Sequence, residues 1–530
     1  MGFWRGFTRP ARYAALVAGA VPVLAFPAPN LEFVAWVGLV PGLLVLRHAP
    51  TGREAAARGW WLGAGYLIFA LYWLIPNVGP GLLLIAIVMG APWAVFGYAA
   101  WRLLAPPGPA IGRALAAVVV LPAIWVTIEW IRSWQALGGP WAVLGATQWR
   151  HPVVLALAAV GGIWLISFVV VAANAAIAVA LTAAGPARPA GAVSPARLAG
   201  AVSPARLAGA VSPARLAGAV GAGLAVAAGP VAFALTAAQA AAPAAGHVRL
   251  ALVQPGIVSD LNRRIAEEIR LTRRARGADL IVWGESSVTY DLRYDPALLR
   301  RLRALSARAQ LLVNQDSIGP RGHTKDAILI GPGGIEGRYV KTRLVPFGEY
   351  IPFRPVLGWL ADISRAAPVN MVPGTGAHVL HAVLPDGRRL TFGILICFES
   401  TFPDMSRTDT RQGAQFIIYQ TSDTTFQQSW APEQHASLGA LRAAETGRPV
   451  VQAALTGDSA AFDNRGRVLA WMSTSDRGVL AVRLALPPRS ALTPFDRFGD
   501  YVPWISVAVT AIALLSWANL AGVFRRFRRA

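Results

Sequence analysis

The sequence predicts a membrane α-helical bundle of about eight spans carrying one α/β domain between its last two spans. Three observations lead there. Eight apolar stretches can be placed along the chain, and 55% of its residues are hydrophobic. Between Ala245 and Asp500 the pattern changes to short β-branched runs separated by amphipathic stretches, the mark of a soluble α/β domain. The charge is distributed as membrane topology requires: that domain holds 31 basic against 24 acidic residues, the remainder 18 against 3, and the excess flanks the apolar stretches. No basic stripe interleaved with aromatics appears, so the net charge of +22 does not point to nucleic acid.

In order, the expected spans are roughly Tyr13–Ala28, Phe33–Leu46, Trp60–Ile75, Leu82–Leu104, Ala114–Ile131, Val153–Ala184, Val220–Ala238 and Val502–Val523. The first two are short for a bilayer core of about 30 Å and read equally as a tight hairpin or a re-entrant pair. A cleaved signal peptide is not expected, because further apolar stretches follow the first at once. Arginines fix the orientation. Arg5, Arg9 and Arg12, then Arg47, Arg53 and Arg58, then Arg102 and Arg113, then Arg188, Arg197, Arg206 and Arg215, and finally Arg525, Arg526, Arg528 and Arg529 all fall on one side. Both termini are therefore expected in the cytoplasm and the long insert outside.

Three regions follow: residues 1–244 with about seven spans, residues 245–500 as the extracytoplasmic domain, and residues 501–530 as a last span with a basic tail. A linker at 185–217 contains Gly-Ala-Val-Ser-Pro-Ala-Arg-Leu-Ala three times, starting at Gly191, Gly200 and Gly209. Nine residues are too few for a solenoid repeat, and a proline in every copy breaks a continuous helix, so it reads as a duplicated cytoplasmic linker.

Within the domain, strands are expected at Val248–Gln254, Leu280–Trp283, Leu311–Asn314, Ala327–Ile330, Arg338–Val340, Leu390–Ile396, Phe416–Tyr419, Val450–Leu455 and Val479–Leu484. Helical stretches such as Asn262–Arg276, Pro296–Arg308 and Glu433–Glu445 lie between them.

The only cysteine, Cys397, ends the buried run Phe392–Ile396, with Glu399 two residues on. A lone cysteine is either a small buried hydrophobe or a nucleophile. Glu285 ends a second buried run, Leu-Ile-Val-Trp-Gly-Glu, as a helix cap or a base. Of the 49 basic residues only Lys325 and Lys341 are lysine. A position that keeps lysine against that bias plausibly needs a compact, rotatable ammonium, which at Lys341 suits an oxyanion; Lys325 reads as a surface lysine. Glu349 lies in the Pro/Gly turn that follows Lys341. The loop from Gly138 to Arg150, with Trp141, is either an interfacial aromatic belt or a wall for a lipid. The segment Phe353–Gly374, with Trp359, Leu360, Ile363 and Met371, reads as an apolar lid or an ordinary packed loop. The seven histidines have no paired metal-ligand spacing, and no Gly-x-Ser-x-Gly elbow or phosphate-binding glycine loop competes.

Trp283-Gly-Glu285, Lys341 ahead of Leu344-Val-Pro-Phe-Gly-Glu-Tyr350, and Ile396-Cys397-Phe-Glu399 resemble the Glu, Lys and Cys motifs of the nitrilase superfamily. With the spans, they resemble in particular its apolipoprotein N-acyltransferase branch. The resemblance implies a nitrilase-like αββα sandwich on the outer face of a bacterial plasma membrane, working as a monomer without cofactor. It implies Cys397 as nucleophile, Glu285 as general base and Lys341 as oxyanion-stabilising cation, with Glu349 and Glu399 as supporting carboxylates and Phe398, Trp141 and Trp359 near substrate. The implied reaction passes an acyl chain from a phospholipid, through a thioester, to the α-amine of a diacylglyceryl-cysteine apolipoprotein. The chain departs from the branch at Asn262-Arg263, where Lys-Trp is usual, at Ser422-Asp-Thr-Thr-Phe426, where Asn-Asp-Ala-Trp-Phe is usual, and at Leu455-Thr456, where Asn-Asn is usual. Phe398 stands where Tyr is also common. A membrane-anchored carbon-nitrogen hydrolase and a non-catalytic lipid- or lipoprotein-binding paralogue remain the alternatives.

Overall fold

The computed structural model of the chain describes residues 10–183, 212–240, 244–320, 322–359, 361, 367 and 369–527. Its N-terminal part is helical, as apolar segments must be if lipid is to leave no backbone group unpaired. Among the described residues, four helices are long and apolar enough to cross a bilayer: Ile111–Arg132, Pro152–Thr182, Pro213–Thr236 and Tyr501–Asn519. Two bent pairs, Gly52–Ala70 with Tyr72–Val78 and Gly81–Gly90 with Trp93–Leu104, raise the number to 6 if each pair is one span.

Against the eight spans expected, the described residues hold 4 such helices, or 6 with the bent pairs, by length and composition. The first apolar stretch forms the helix Pro10–Ala20 and a 3-10 turn, Val21–Ala25; the second forms another such turn, Glu32–Trp36, and the short helix Val40–Arg47. Pro22, Pro27, Pro29 and Pro41 interrupt the backbone ladder that one long helix would need. The first two copies of the tandem repeat lie outside the described residues, as do Arg5, Arg9, Arg188, Arg197, Arg206, Arg528 and Arg529. In the third copy Pro213 opens the helix Pro213–Ala240, where a missing N–H costs nothing.

The helix Pro152–Thr182 is broken in the middle. Gly161 (φ −132°) and Gly162 (φ +71°) leave helical geometry, and a Cβ at Gly162 would stand 2.7 Å from the Phe495 ring. Beyond the break, the N–H of Ile163 donates to the buried carboxylate of Glu445 at 2.8 Å, and Glu445 is paired with the buried Arg442 at 3.1 Å. A side chain of the α/β domain thus caps the second half of a span. Glu445→Ala leaves an N–H and a guanidinium buried without their partner, so a loss of about 3 kcal/mol is expected. Thermal unfolding in detergent measures it, and an unchanged Tm would mean that the cap contributes nothing.

Among the described residues, twelve strands build the α/β domain: β1 (Gly246–Gln254), β2 (Leu280–Trp283), β3 (Gln310–Gly319), β4 (Gly322–Gly331), β5 (Gly334–Val340), β6 (Leu380–Val383), β7 (Arg389–Ile396), β8 (Phe416–Thr421), β9 (Val450–Ala454), β10 (Ser459–Phe462), β11 (Val468–Met472) and β12 (Gly478–Leu486). One sheet runs β12-β1-β2-β3-β4-β5 and the other β11-β10-β9-β8-β7-β6. Each has a parallel centre, β1-β2-β3 or β7-β8-β9, crossed by helices Leu261–Thr272 and Pro296–Leu305 in the first and Pro403–Arg411 and Ala431–Thr446 in the second. Alternation along β1 explains the layers: Leu250 and Leu252 join Phe392 and Ile394 between the sheets, while Ala251 and Val253 join Ile265, Ile269 and Leu302 under the helices. Asp260 and Asp295 cap the two helices of the first layer. The result is the expected αββα sandwich. All nine expected strands are present, and β6, β10 and β11 are additional.

Candidate active site

Glu285 follows β2, Lys341 follows β5 and Cys397 follows β7, so three strand ends from two sheets converge. Ser286 (φ +53°) and Cys397 (φ +52°) both sit in the left-handed region, which is uncommon outside glycine and marks turns held by their surroundings. The turn carrying Glu285 is fixed from the opposite sheet. Glu285 N–H donates to the Thr421 carbonyl at 3.1 Å, and Gln420 Nε2 donates to the Trp283 carbonyl at 2.9 Å. Asn314 links Gln420 (3.2 Å) to the Ser286 N–H (2.9 Å). The backbones approach so closely that a Cβ at Gly284 would lie 2.0 Å from the amide nitrogen of Leu455.

Lys341 Nζ is fully buried and donates to Glu285 Oε1 at 3.0 Å and to Glu349 Oε1 at 2.7 Å. Glu349 Oε2 accepts the Val345 N–H, which anchors the turn expected there. Burial alone would raise the carboxyl of Glu285, but Lys341 and Lys325 outweigh it, and with hydrogen bonds from Lys341 and Cys397 they hold it down at about 2. Burial favours the neutral form of Lys341, yet Glu285 and Glu349 push its pKa well above the ordinary lysine value. The thiol of Cys397 is pushed up, first by burial and then by the charge of Glu285, against the lowering effect of Lys341. In the substrate-free protein the pair therefore rests as thiol and carboxylate. Because the thiolate fraction grows only as pH climbs past a raised pKa, alkylation of Cys397 by iodoacetamide should keep accelerating beyond about pH 10, where a free thiol, half ionised near about pH 8.5, has levelled off. A rate that levels off below that pH would contradict this.

Glu399 turns back from the thiol: Oε1 accepts from the Thr342 and Arg343 N–H groups (2.6 and 3.0 Å) and from the Tyr339 hydroxyl (2.9 Å), and Oε2 accepts from the Ile396 N–H (2.8 Å). It clamps the Lys341 loop to the Cys397 turn. Phe398 is buried against Phe402 and the Gly139 backbone. Trp141 stacks edge-on to His435 at 5.4 Å and to Trp73 at 5.0 Å, and Phe426 completes the cluster. Its loop is held from the helical part: Glu129 Oε1 accepts from the Leu144 N–H at 2.7 Å, and Arg132 donates to the carbonyls of Trp141 and Ala142. Trp359 is not brought to this cluster; it stands 56% exposed beside the exposed Phe353 and Val356. Residues 360, 362–366 and 368 of the expected lid, with Leu360 and Ile363 among them, lie outside the described residues.

Two residues of the site, Lys325 and His435, escape a reading of the sequence alone. Lys325, expected at the surface, is only partly exposed and stands 3.7 Å from Glu285. His435 Nε2 lies 3.2 Å from the Cys397 carbonyl and 2.9 Å from Ser400 Oγ, and its Nδ1 lies 3.1 Å from Asp423. Burial lowers the histidine's pKa, but Asp423 wins and raises it. The departures Ser422-Asp-Thr-Thr and Leu455-Thr456 meet in space: Thr424 and Thr456 hydroxyls are 2.9 Å apart, and Ser422 is 3.4 Å from Thr456.

Residues 18–176 match the model of the apolipoprotein N-acyltransferase N-terminal domain, and residues 249–490 that of carbon-nitrogen hydrolases. Among curated relatives, the apolipoprotein N-acyltransferase of Allorhizobium ampelinum is 30% identical, covering 88% of this chain and 88% of its own length. That of Geobacter metallireducens is 28% identical, covering 94% of this chain and 93% of its own. Among solved structures, a carbon-nitrogen hydrolase from Helicobacter pylori aligns with a TM-score of 0.36 at 16% identity, over 45% of this chain and 89% of that one.

Proposed function

Because the chain belongs to the apolipoprotein N-acyltransferases, we propose that it moves an acyl chain from a membrane phospholipid, through a thioester on Cys397, to the N-terminal α-amine of a diacylglyceryl-cysteine apolipoprotein. The observation that carries the reading is the convergence of Cys397, Glu285 and Lys341 from three strand ends onto one buried cluster. Glu285 takes the thiol proton as sulfur attacks the ester carbonyl. Lys341 and N–H groups of the 3-10 turn Cys397–Thr401 meet the oxyanion of the tetrahedral intermediate. The ester C–O bond breaks, the lysophospholipid leaves with the proton held by Glu285, and the thioester remains. The acceptor amine, relieved of its extra proton by Glu285, then attacks the thioester; an amide forms and the thiol is restored. Glu349 keeps Lys341 in place, and Glu399 keeps the Lys341 and Cys397 loops in register.

The aromatic cluster of Trp141, Trp73 and Phe426 is suited to an acyl chain entering from the helical part, and Phe353, Val356 and Trp359 form an apolar edge suited to dip into lipid. Several arginines support the cytoplasmic assignment of the termini, since Arg12 and Arg58 both reach Glu54, Arg47 reaches the Leu104 carbonyl and Arg215 the Ala183 carbonyl. Of these contacts, Arg12 with Glu54 and Arg47 with Leu104 join different basic loops.

The test is mass spectrometry of the detergent-solubilised protein after incubation with phospholipid of defined acyl composition. The expected result is an acyl mass on Cys397, removed by neutral hydroxylamine and passed to a diacylglyceryl-cysteine peptide. Loss of the adduct to water alone would favour the carbon-nitrogen hydrolase. No adduct on the folded protein would favour the binding paralogue.

A further inference from the structure

Both lysines of the chain are in the same place. Lys325, within β4, pairs in register with Asp316 on β3, and its carbonyl accepts the Lys341 N–H at 2.8 Å, so the two lysines lie side by side across the β4–β5 edge. Their ammonium groups converge on one atom: Lys341 Nζ is 3.0 Å and Lys325 Nζ 3.7 Å from Glu285 Oε1. Lys325 also reaches Ser286 Oγ at 2.6 Å and Asp316 Oδ1 at 3.2 Å. Its side chain is 14% exposed.

We propose that Lys325 is a positioning residue for acyl transfer, which holds the charge of Glu285 so that Lys341 is free to meet the oxyanion. The inference rests on the roles given above to Glu285 and Lys341. Charge balance carries it. Lys341 faces two carboxylates, Glu285 from the end of β2 and Glu349 from the turn after β5. An oxyanion at the Cys397 turn would be a third anion around one cation, and every buried anion left without a counter-charge is costly. Lys325 supplies the second cation. Facing it are Glu285, Asp316 on β3 and, further off, Glu349, with Lys341 as the like charge. Facing Glu285 are the two lysines and the Cys397 thiol. A compact ammonium serves a hydroxyl and two carboxylates from one point, which the planar fork of arginine does not, and this accounts for lysine at both positions in a chain that otherwise uses arginine. A lysine kept only to satisfy the β3–β4 pair needs Asp316 and Ser286 but not Glu285.

The test uses the full-length protein in detergent with Lys325→Gln. Two readouts are taken: the pH profile of Cys397 alkylation by iodoacetamide, which needs no acyl donor, and the single-turnover rate of acylation from phospholipid. The alkylation limb should move to higher pH by about one unit, because the thiolate forms beside an uncompensated carboxylate. Acylation should slow about 10- to 100-fold in kcat, with KM changed less than about twofold. The double variant Lys325→Gln with Asp316→Asn separates the two roles and guards against misfolding of the single one, since it removes the β3–β4 ion pair whole. If Lys325 acts on Glu285, the double variant keeps both defects. Recovery of either readout in the double variant, or an unmoved alkylation limb in the folded single variant, would overturn the proposal. A moved limb with no acyl adduct even on the unmutated protein would leave the effect on the thiol standing and overturn the acyltransferase reading instead.

Discussion

Cys397→Ser is expected to lower the rate of acyl transfer at least about 1000-fold and to leave the Tm within about 1 °C. The loss follows from the proton balance at the site. A serine hydroxyl ionises several units higher than a thiol, and Glu285, with its pKa held down at about 2, is a weak base for it. A thiolate also leaves a tetrahedral intermediate more readily than an alkoxide, so the second half-reaction suffers as well. The fold should not notice, because one atom changes and the φ of +52° at this position is set by the strand end and turn. Transfer to the acceptor peptide and thermal unfolding are to be measured on one preparation. A variant with more than about a tenth of normal activity would remove Cys397 from the mechanism.

Lys341→Met is expected to abolish transfer and also to destabilise the protein by about 3–5 kcal/mol. A buried ammonium is lost from between two carboxylates at 3.0 and 2.7 Å, and of the like charges that remain only Glu285 keeps a counter-ion, Lys325 at 3.7 Å. Adding Glu349→Gln separates the two consequences. It removes one of the stranded charges and should return much of the stability, while activity stays at least about 100-fold down because nothing replaces the cation at the oxyanion. If the double variant recovered transfer along with its Tm, Lys341 would be a structural ion-pair member only.

Much of this was legible in the sequence where one physical signal dominated. Runs such as Leu280–Trp283 and Phe392–Ile396 are buried on both faces and can be little but interior strands, so the ends that carry Glu285 and Cys397 could be placed. β6 and β10 have only four residues each, and β11 is a partly exposed edge strand; apolar patterning is too short or too diluted there to stand out. Hydropathy measures composition, and composition does not register the bends after Ala70 and Gly90 or the prolines of the first two stretches. Lys325 was misplaced for a related reason. Its neighbours Thr324 and Asp326 look solvated, and only the pairing of β4 with β3 and β5 turns its side chain inward to Glu285. The clamp made by Glu399 likewise depends on bringing the loop after β5 to the turn after β7, a contact across about 57 residues.

The cap that Glu445 places on Ile163 has a consequence for how the molecule comes to be made. The two residues are 282 positions apart, so the ribosome releases the broken span long before the carboxylate that completes it exists. Until the sandwich closes, the second half of that span begins with a bare amide at a glycine break, the weakest point from which a helix can start. Maturation of the bundle therefore waits on folding of the sandwich, and the two should melt in a single cooperative transition. The sandwich expressed alone would carry Glu445 and Arg442 as an unshielded buried pair at its surface and be the less stable for it.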